Sequence, residues 1–190
     1  MFFENKKLIE IFFAVSCFAL LISVLLGSFY STKTVDKGVV SYIESYSDSI
    51  KNGMNMWGIT KSSIVSYSLM VVIIFLSSFF SSGPIVSLLV LFRKGFIDGF
   101  TISAMMSYAG IKGFHLYIPY IPQVLVEIPF FVIFVSLSAV MSLKRKFIDK
   151  KTKIIYIIFF ACLITIFCIC SFLEGLLTTT FANWLSNKVT

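Results

Sequence analysis

Four apolar runs, each close to the length of a bilayer crossing, constrain this chain more than any other feature. Residues 8–30 make a run of 23, about 34 Å as a helix, against a hydrocarbon core of roughly 30 Å. Comparable runs cover residues 64–80, 119–143 and 154–178, with hardly a charge in them. None alternates apolar and polar residues as barrel strands do, so the spans read as helices. With 58% of the 190 residues hydrophobic and 13% charged, no soluble domain of this length buries so much apolar surface. Mean hydropathy is +0.95. The expectation is an all-α, polytopic helical membrane protein in which residues 1–190 form a single transmembrane domain in the lipid bilayer. The first run exceeds the apolar region of a signal peptide, about 7 to 15 residues, and no A-x-A site follows, so it reads as an uncleaved anchor.

The loops divide by charge. Net charge is +7, and Lys144, Arg145, Lys146, Lys150, Lys151 and Lys153 crowd into residues 144–153. A short basic loop between spans is cytoplasmic by the positive-inside bias. It has no nucleic-acid module around it, so no nucleic-acid partner is expected. Lys6 and Lys7 place the N-terminus on the same side. Five spans then leave residues 31–63 and the C-terminus outside, with Trp184 as an interfacial anchor. The 31–63 loop is nearly neutral. Val39, Ile43, Tyr46, Ile50, Met54 and Trp57 recur in it at steps of three and four, an amphipathic helix stripe. The stripe packs on the membrane surface or neighbouring spans, or it faces a partner.

Residues 83–130 are mostly apolar yet carry Arg93, Lys94, Asp98, Lys112 and Glu127, and are punctuated by glycine and proline. Charge near the middle of a bilayer is costly, so this block lines something wet, pairs internally, or sits at an interface. It is either one helix over 84–108, or a dip and return over 79–92 followed by a span at 95–118. Both versions cross once. The count is about five spans with a broken or re-entrant central segment. Lys94 and Asp98 are four apart and meet on one helix face. Gly95 and Gly99 form a GxxxG step that admits another backbone closely. The bland reading is a self-neutralising pair beside a helix crossing; the sharper one is a polar pathway or a subunit contact, including a homo-oligomer. Glu127 is either protonated or paired with Arg93, Lys94 or Lys112. Pairing is favoured, because an uncompensated buried carboxylate is expensive. Pro119, Pro122 and Pro129 break the fourth span near its start by removing backbone donors.

Catalytic signatures are missing from the sequence. Cys17, Cys162, Cys168 and Cys170 lie in apolar runs without a CxxC pair and read as small buried apolar residues. His115 is the single histidine and reads as an interfacial residue. There is no HExxH, GxSxG or Walker loop. No enzyme activity, cofactor or metal is expected, and an intramembrane hydrolase lacks both nucleophile and base.

The central block is nevertheless distinctive. Lys94-Gly95-x-x-x-Gly99-Phe100-Thr101, Gly110-Ile111-Lys112-Gly113-Phe114, Pro122-Gln123 and Ile128-Pro129 follow in order, with Glu174 in the last span. This arrangement resembles the stage II sporulation protein M family over roughly residues 83–143. Many members of the wider family carry a PHG-like pattern where this chain has Pro122-Gln123-Val124, a departure that favours the sporulation branch. The resemblance implies a role in endospore formation, in the mother-cell membrane at the engulfing septum. It implies a scaffold without hydrolase activity that localises two peptidoglycan-degrading partners, stage II sporulation proteins D and P. Contacts would fall on residues 31–63, on the 109–118 turn or on span faces. The competing expectation is a permease-like subunit of a membrane transporter, since broken helices and intramembrane charges also mark transport paths.

Overall fold

The computed structural model describes residues 6–33, 41, 56–109, 121–144 and 150–189. Among these residues there are five helices and no strand: α1 Lys6–Lys33, α2 Met56–Ser77, α3 Gly83–Ala109, α4 Ile121–Leu143 and α5 Lys150–Val189. Helices α1, α2, α4 and the Lys150–Thr180 part of α5 are long and apolar enough to cross a membrane. The chain is a membrane-embedded, all-helical protein.

The turn between α2 and α3 decides how the central block is built. Ser77 and Ser78 turn their hydroxyls back onto the Ile74 and Phe75 carbonyls, at 2.7 and 2.6 Å. The next amides close successive tight turns, Phe80 to the Ser77 carbonyl and Gly83 to the Phe80 carbonyl, both at 3.0 Å. Pro84 then lies in the first turn of α3, where its missing N–H has no helical partner to lose. Side chain is excluded at Gly83, where a Cβ would run into the Ser77 carbonyl and the Ser142 side chain. Ser142 in turn donates to the Phe80 carbonyl. So the turn is clamped to the end of α4, and residues 83–109 form one unbroken helix. The alternative dip and return over 79–92 is not adopted.

Several boundaries lie beyond those read from hydropathy. Helix α1 continues through Lys33, and α2 begins at Met56, so both ends of the expected 31–63 loop are helical. Helix α5 begins at Lys150, which places Lys150, Lys151 and Lys153 on its first turns rather than in the 144–153 loop. Once an apolar run has nucleated a helix, each added polar residue gains a backbone hydrogen bond without a new nucleation cost. Among the described residues the break expected near the start of the fourth span is likewise absent, and Pro119 lies outside them. Pro122 falls in the first turn of α4, and the helix runs on through Pro129, whose ring faces outward.

Neighbouring contacts fix the helix directions. Ser23 faces Gly95 and Val24 faces Gly99, so α1 and α3 run parallel. Gly83 meets Ser142 while Lys94 meets Glu127, so α4 is antiparallel to α3. Thr60 meets Gly175, Tyr67 lies 6.2 Å from Phe167 and Phe75 stacks 4.1 Å from Phe160, so α5 is antiparallel to α2. One end of the bundle therefore gathers the start of α1, the α2–α3 turn, the end of α4 and the start of α5. Between the ends, Val71, Ile74, Leu91, Phe131, Phe134, Val135 and Leu163 form the buried core. Stacked rings of Phe134, Tyr156, Phe160 and Phe75 fill the half towards that end.

Candidate functional site

Lys94 is the hub. It lies eleven residues into α3, about 16 Å along the axis from the helix start. Its side chain is buried, and its Nζ donates to Asp98 Oδ1 at 2.9 Å, one turn on. The same Nζ lies 3.5 Å from Glu127 Oε2 on α4 and 5.1 Å from the centre of the Tyr67 ring on α2. One ammonium thus joins three helices by a hydrogen bond, an ion pair and a cation–π contact. Glu127 is 1% exposed. Its separation from Lys94 is an ion-pair distance rather than a hydrogen bond, and both its oxygens lack a hydrogen-bond partner. The Tyr67 phenol is the other polar group beside it.

A second polar layer adjoins the first. Gln123 stands one turn before Glu127 on α4, on the same face, and is 4% exposed. The Glu174 carboxyl of α5 has Gln123 and Ser63 of α2 as its polar neighbours. Yet neither amide atom of Gln123, nor Glu174 Oε2, reaches hydrogen-bond geometry. Thr60 Oγ1 and Ser171 Oγ, on the same stretch of α2 and α5, are also buried without a partner.

The glycines belong to the other side of α3. A Cβ on Gly95 would strike the Ser23 hydroxyl, and one on Gly99 the Val24 carbonyl of α1. Gly27 of α1 reciprocates, lying against the Phe96 carbonyl. Ser103 donates across the same seam to the Ser28 carbonyl at 3.1 Å. The small residues Ser16, Ser23, Gly27 and Ser31 are the buried ones of α1, a backbone-to-backbone contact of the small-xxx-small type.

Of the residues singled out from sequence, Lys94, Asp98, Glu127, Gln123 and Glu174 come together in one polar cluster, and Gly95 and Gly99 line the α1 seam. Arg93 is exposed on α3 and makes no ion pair among the described residues. Pro122 and Pro129 face outward. Trp57 is exposed on the first turn of α2. Val39, Ile43, Tyr46, Ile50, Met54, Gly110, Lys112, Gly113 and His115 lie outside the described residues. Sequence reasoning missed Tyr67, Ser63 and the α1 half of the glycine seam. A phenol in the middle of an apolar run, and small residues spaced by seven and four at positions 16, 23, 27 and 31, were the available signals. No group of three His, Cys, Asp or Glu side chains among the described residues is placed to hold a metal ion. Comparisons with protein-family models, curated proteins and solved structures find no match.

Proposed function

We propose that this chain is a non-catalytic membrane platform of the stage II sporulation protein M kind. It would hold peptidoglycan-degrading enzymes, stage II sporulation proteins D and P, at the mother-cell membrane during engulfment. One observation supports this reading above others. Of the residues that carry the resemblance, Lys94, Gly95, Gly99 and Gln123 lie buried where helices meet, beside Asp98 and Glu127, while Pro122 and Pro129 face outward. Their placement suits cohesion of a platform, and leaves partner contacts to the exposed faces and loops, Trp57 among them.

In this reading α3 is the fifth crossing. It is 27 residues long, runs parallel to α1 and lies against it along its length, so it shares that helix's depth. Lys6, Lys7, Lys144, Lys150, Lys151 and Lys153 cluster at one end of the bundle, which the positive-inside bias assigns to the cytoplasm. The N-terminus is then cytoplasmic and the α4 start extracytoplasmic. Exposed Leu21, Leu25, Phe29 and Leu125 face lipid or a second copy.

The test is deletion of the gene in the native host, followed by membrane-dye microscopy of sporulating cells. A stall with a bulging septum is the expected result; normal engulfment rejects the role. A second reading, a permease-like subunit, is favoured by the unpartnered polar atoms beside Glu127. A neighbouring gene for an ATPase, or solute flux in reconstituted vesicles, would decide for it.

A further inference from the structure

The buried cluster does not balance its charge. Among the described residues Lys94 is the single cation within it, whereas Asp98 and Glu127 both face that ammonium and Glu174 adjoins through Gln123. No element packed there brings a second cation among the described residues. Helix α2 brings Tyr67, with Lys61 exposed; α3 has Arg93 on its exposed side; α5 adds Cys170 and Glu174. Helix α1 turns only Ser16, Ser23, Gly27 and Ser31 inward. An unpaired carboxylate in a low-dielectric interior costs several kcal/mol, so the described residues call for a further positive charge.

A second observation locates it. Gln123 is buried, adjoins the Glu174 carboxyl, and leaves both its donor and its acceptor unused. Buried polar groups in native proteins are nearly always bonded to protein or to water. Seven of the ten buried side-chain atoms without a partner belong to Thr60, Gln123, Glu127, Ser171 and Glu174. These residues lie on the stretch from the α4 start to the middle of the bundle, Thr60 against Gly175 and Gln123 beside Glu174. Glu174 and Ser63 are half-exposed at its outer part. In the opposite direction Val71, Ile74, Leu91, Phe131, Phe134 and Val135 close the core with apolar side chains at most 1% exposed. No group of three His, Cys, Asp or Glu side chains among the described residues is placed to hold a metal ion.

We infer that Glu127 and Glu174, with Gln123 between them, form a proton-binding site that exchanges with water only from the end of the bundle where α4 begins. Hydronium gives its proton to a carboxylate oxygen and leaves as water; Lys94 stays an ammonium bonded to Asp98. Intramembrane acids with one-sided access are the elements of proton relays. The site stands independently of the scaffold role.

The test is infrared difference spectroscopy on the full chain in nanodiscs of phosphatidylcholine and phosphatidylglycerol, between mildly acidic and mildly alkaline buffer. The wild type should show the carbonyl stretch of a protonated carboxylic acid that titrates and shifts in heavy water. Glu127→Gln and Glu174→Gln, which keep side-chain volume, should each remove part of that band, and the double variant all of it. Glu10→Gln, at an exposed carboxylate, should leave the band unchanged. No such band in the wild type overturns the inference without appeal to any variant. So does a band that survives the double variant, or one that ignores heavy water.

Discussion

Helix α3 is held on two faces by opposite means. Towards α1 it offers Gly95 and Gly99, and the backbones come so close that a methyl group would strike a carbonyl. Towards α2 and α4 it offers Lys94, a long cationic side chain that is held by Asp98 one turn on and reaches Glu127 and Tyr67. The first face needs nothing but shape. The second needs charges to be matched inside a bilayer, and they are matched incompletely. In lipid there is no hydrophobic drive between helices, so close packing and polar bonds are the two remaining sources of cohesion. This one helix uses each on a different side, and the side that fails to balance is the side with capacity to bind something.

The largest effect should come from the charged face. Lys94→Met strips the shared cation from Asp98 and Glu127 and leaves two buried carboxylates without a partner. Breaking a buried pair in this way costs about 3–5 kcal/mol. Unfolding by steric trapping or denaturant in detergent would measure it. Combining Lys94→Met with Asp98→Asn and Glu127→Gln should recover most of the loss, since replacing every member of a buried ion cluster is often neutral. A full loss that persists in the triple variant would mean that Lys94 acts through its stem and not its charge.

The glycine face should respond next, and unequally along its length. Gly99→Ala sets a methyl against the Val24 backbone carbonyl, which moves only with the whole helix. Gly95→Ala meets the Ser23 hydroxyl, the end of a side chain that turns aside. Overpacking of this kind costs about 1–3 kcal/mol, with Gly99→Ala near the top and Gly95→Ala at or below the bottom. Disulfide formation between Ser28→Cys and Ser103→Cys, whose parent residues bond across the seam, would report the helix contact directly. Equal effects at both glycines would break the distinction between backbone and side-chain contact.

How far these two faces were legible in the sequence follows from their physics. The i,i+4 spacing of Lys94 and Asp98 names its own partner, and a lone Glu127 in an apolar run has few cations to choose from. The GxxxG step announced a close helix contact but not with which helix, because shape carries no address; Ser23 and Gly27 looked like ordinary small residues of a span. Hydropathy placed the apolar runs but not the helix ends, because the polar turns at Met56–Ser63 and Lys150–Lys153 extend helices begun elsewhere. The continuity of α3 was undecidable from composition. It depends on the Ser77–Gly83 turn seating against Ser142, a contact between residues some sixty positions apart. Tyr67 stands out as a phenol in an apolar run, but nothing on α2 itself marks it as facing Lys94.

The smallest effect should come from the serines of the α2–α4 contact, which look like a third kind of joint but are not one. Ser138 donates to the Ile74 carbonyl at 2.9 Å and lies 3.4 Å from the Ser77 hydroxyl. The Ile74 carbonyl also accepts from Ser77 at 2.7 Å. Removing the Ser138 hydroxyl therefore orphans no buried acceptor. Interhelical hydrogen bonds in membrane proteins average about 0.6 kcal/mol, and Ser138→Ala should cost no more than that in the same unfolding assay. What holds α2 to α4 here is the fully buried packing of Val71, Ile74, Phe131, Phe134 and Val135. A cost for Ser138→Ala approaching that of Lys94→Met would place the polar cohesion of this bundle in its serines and demote the charged face of α3 from hub to passenger.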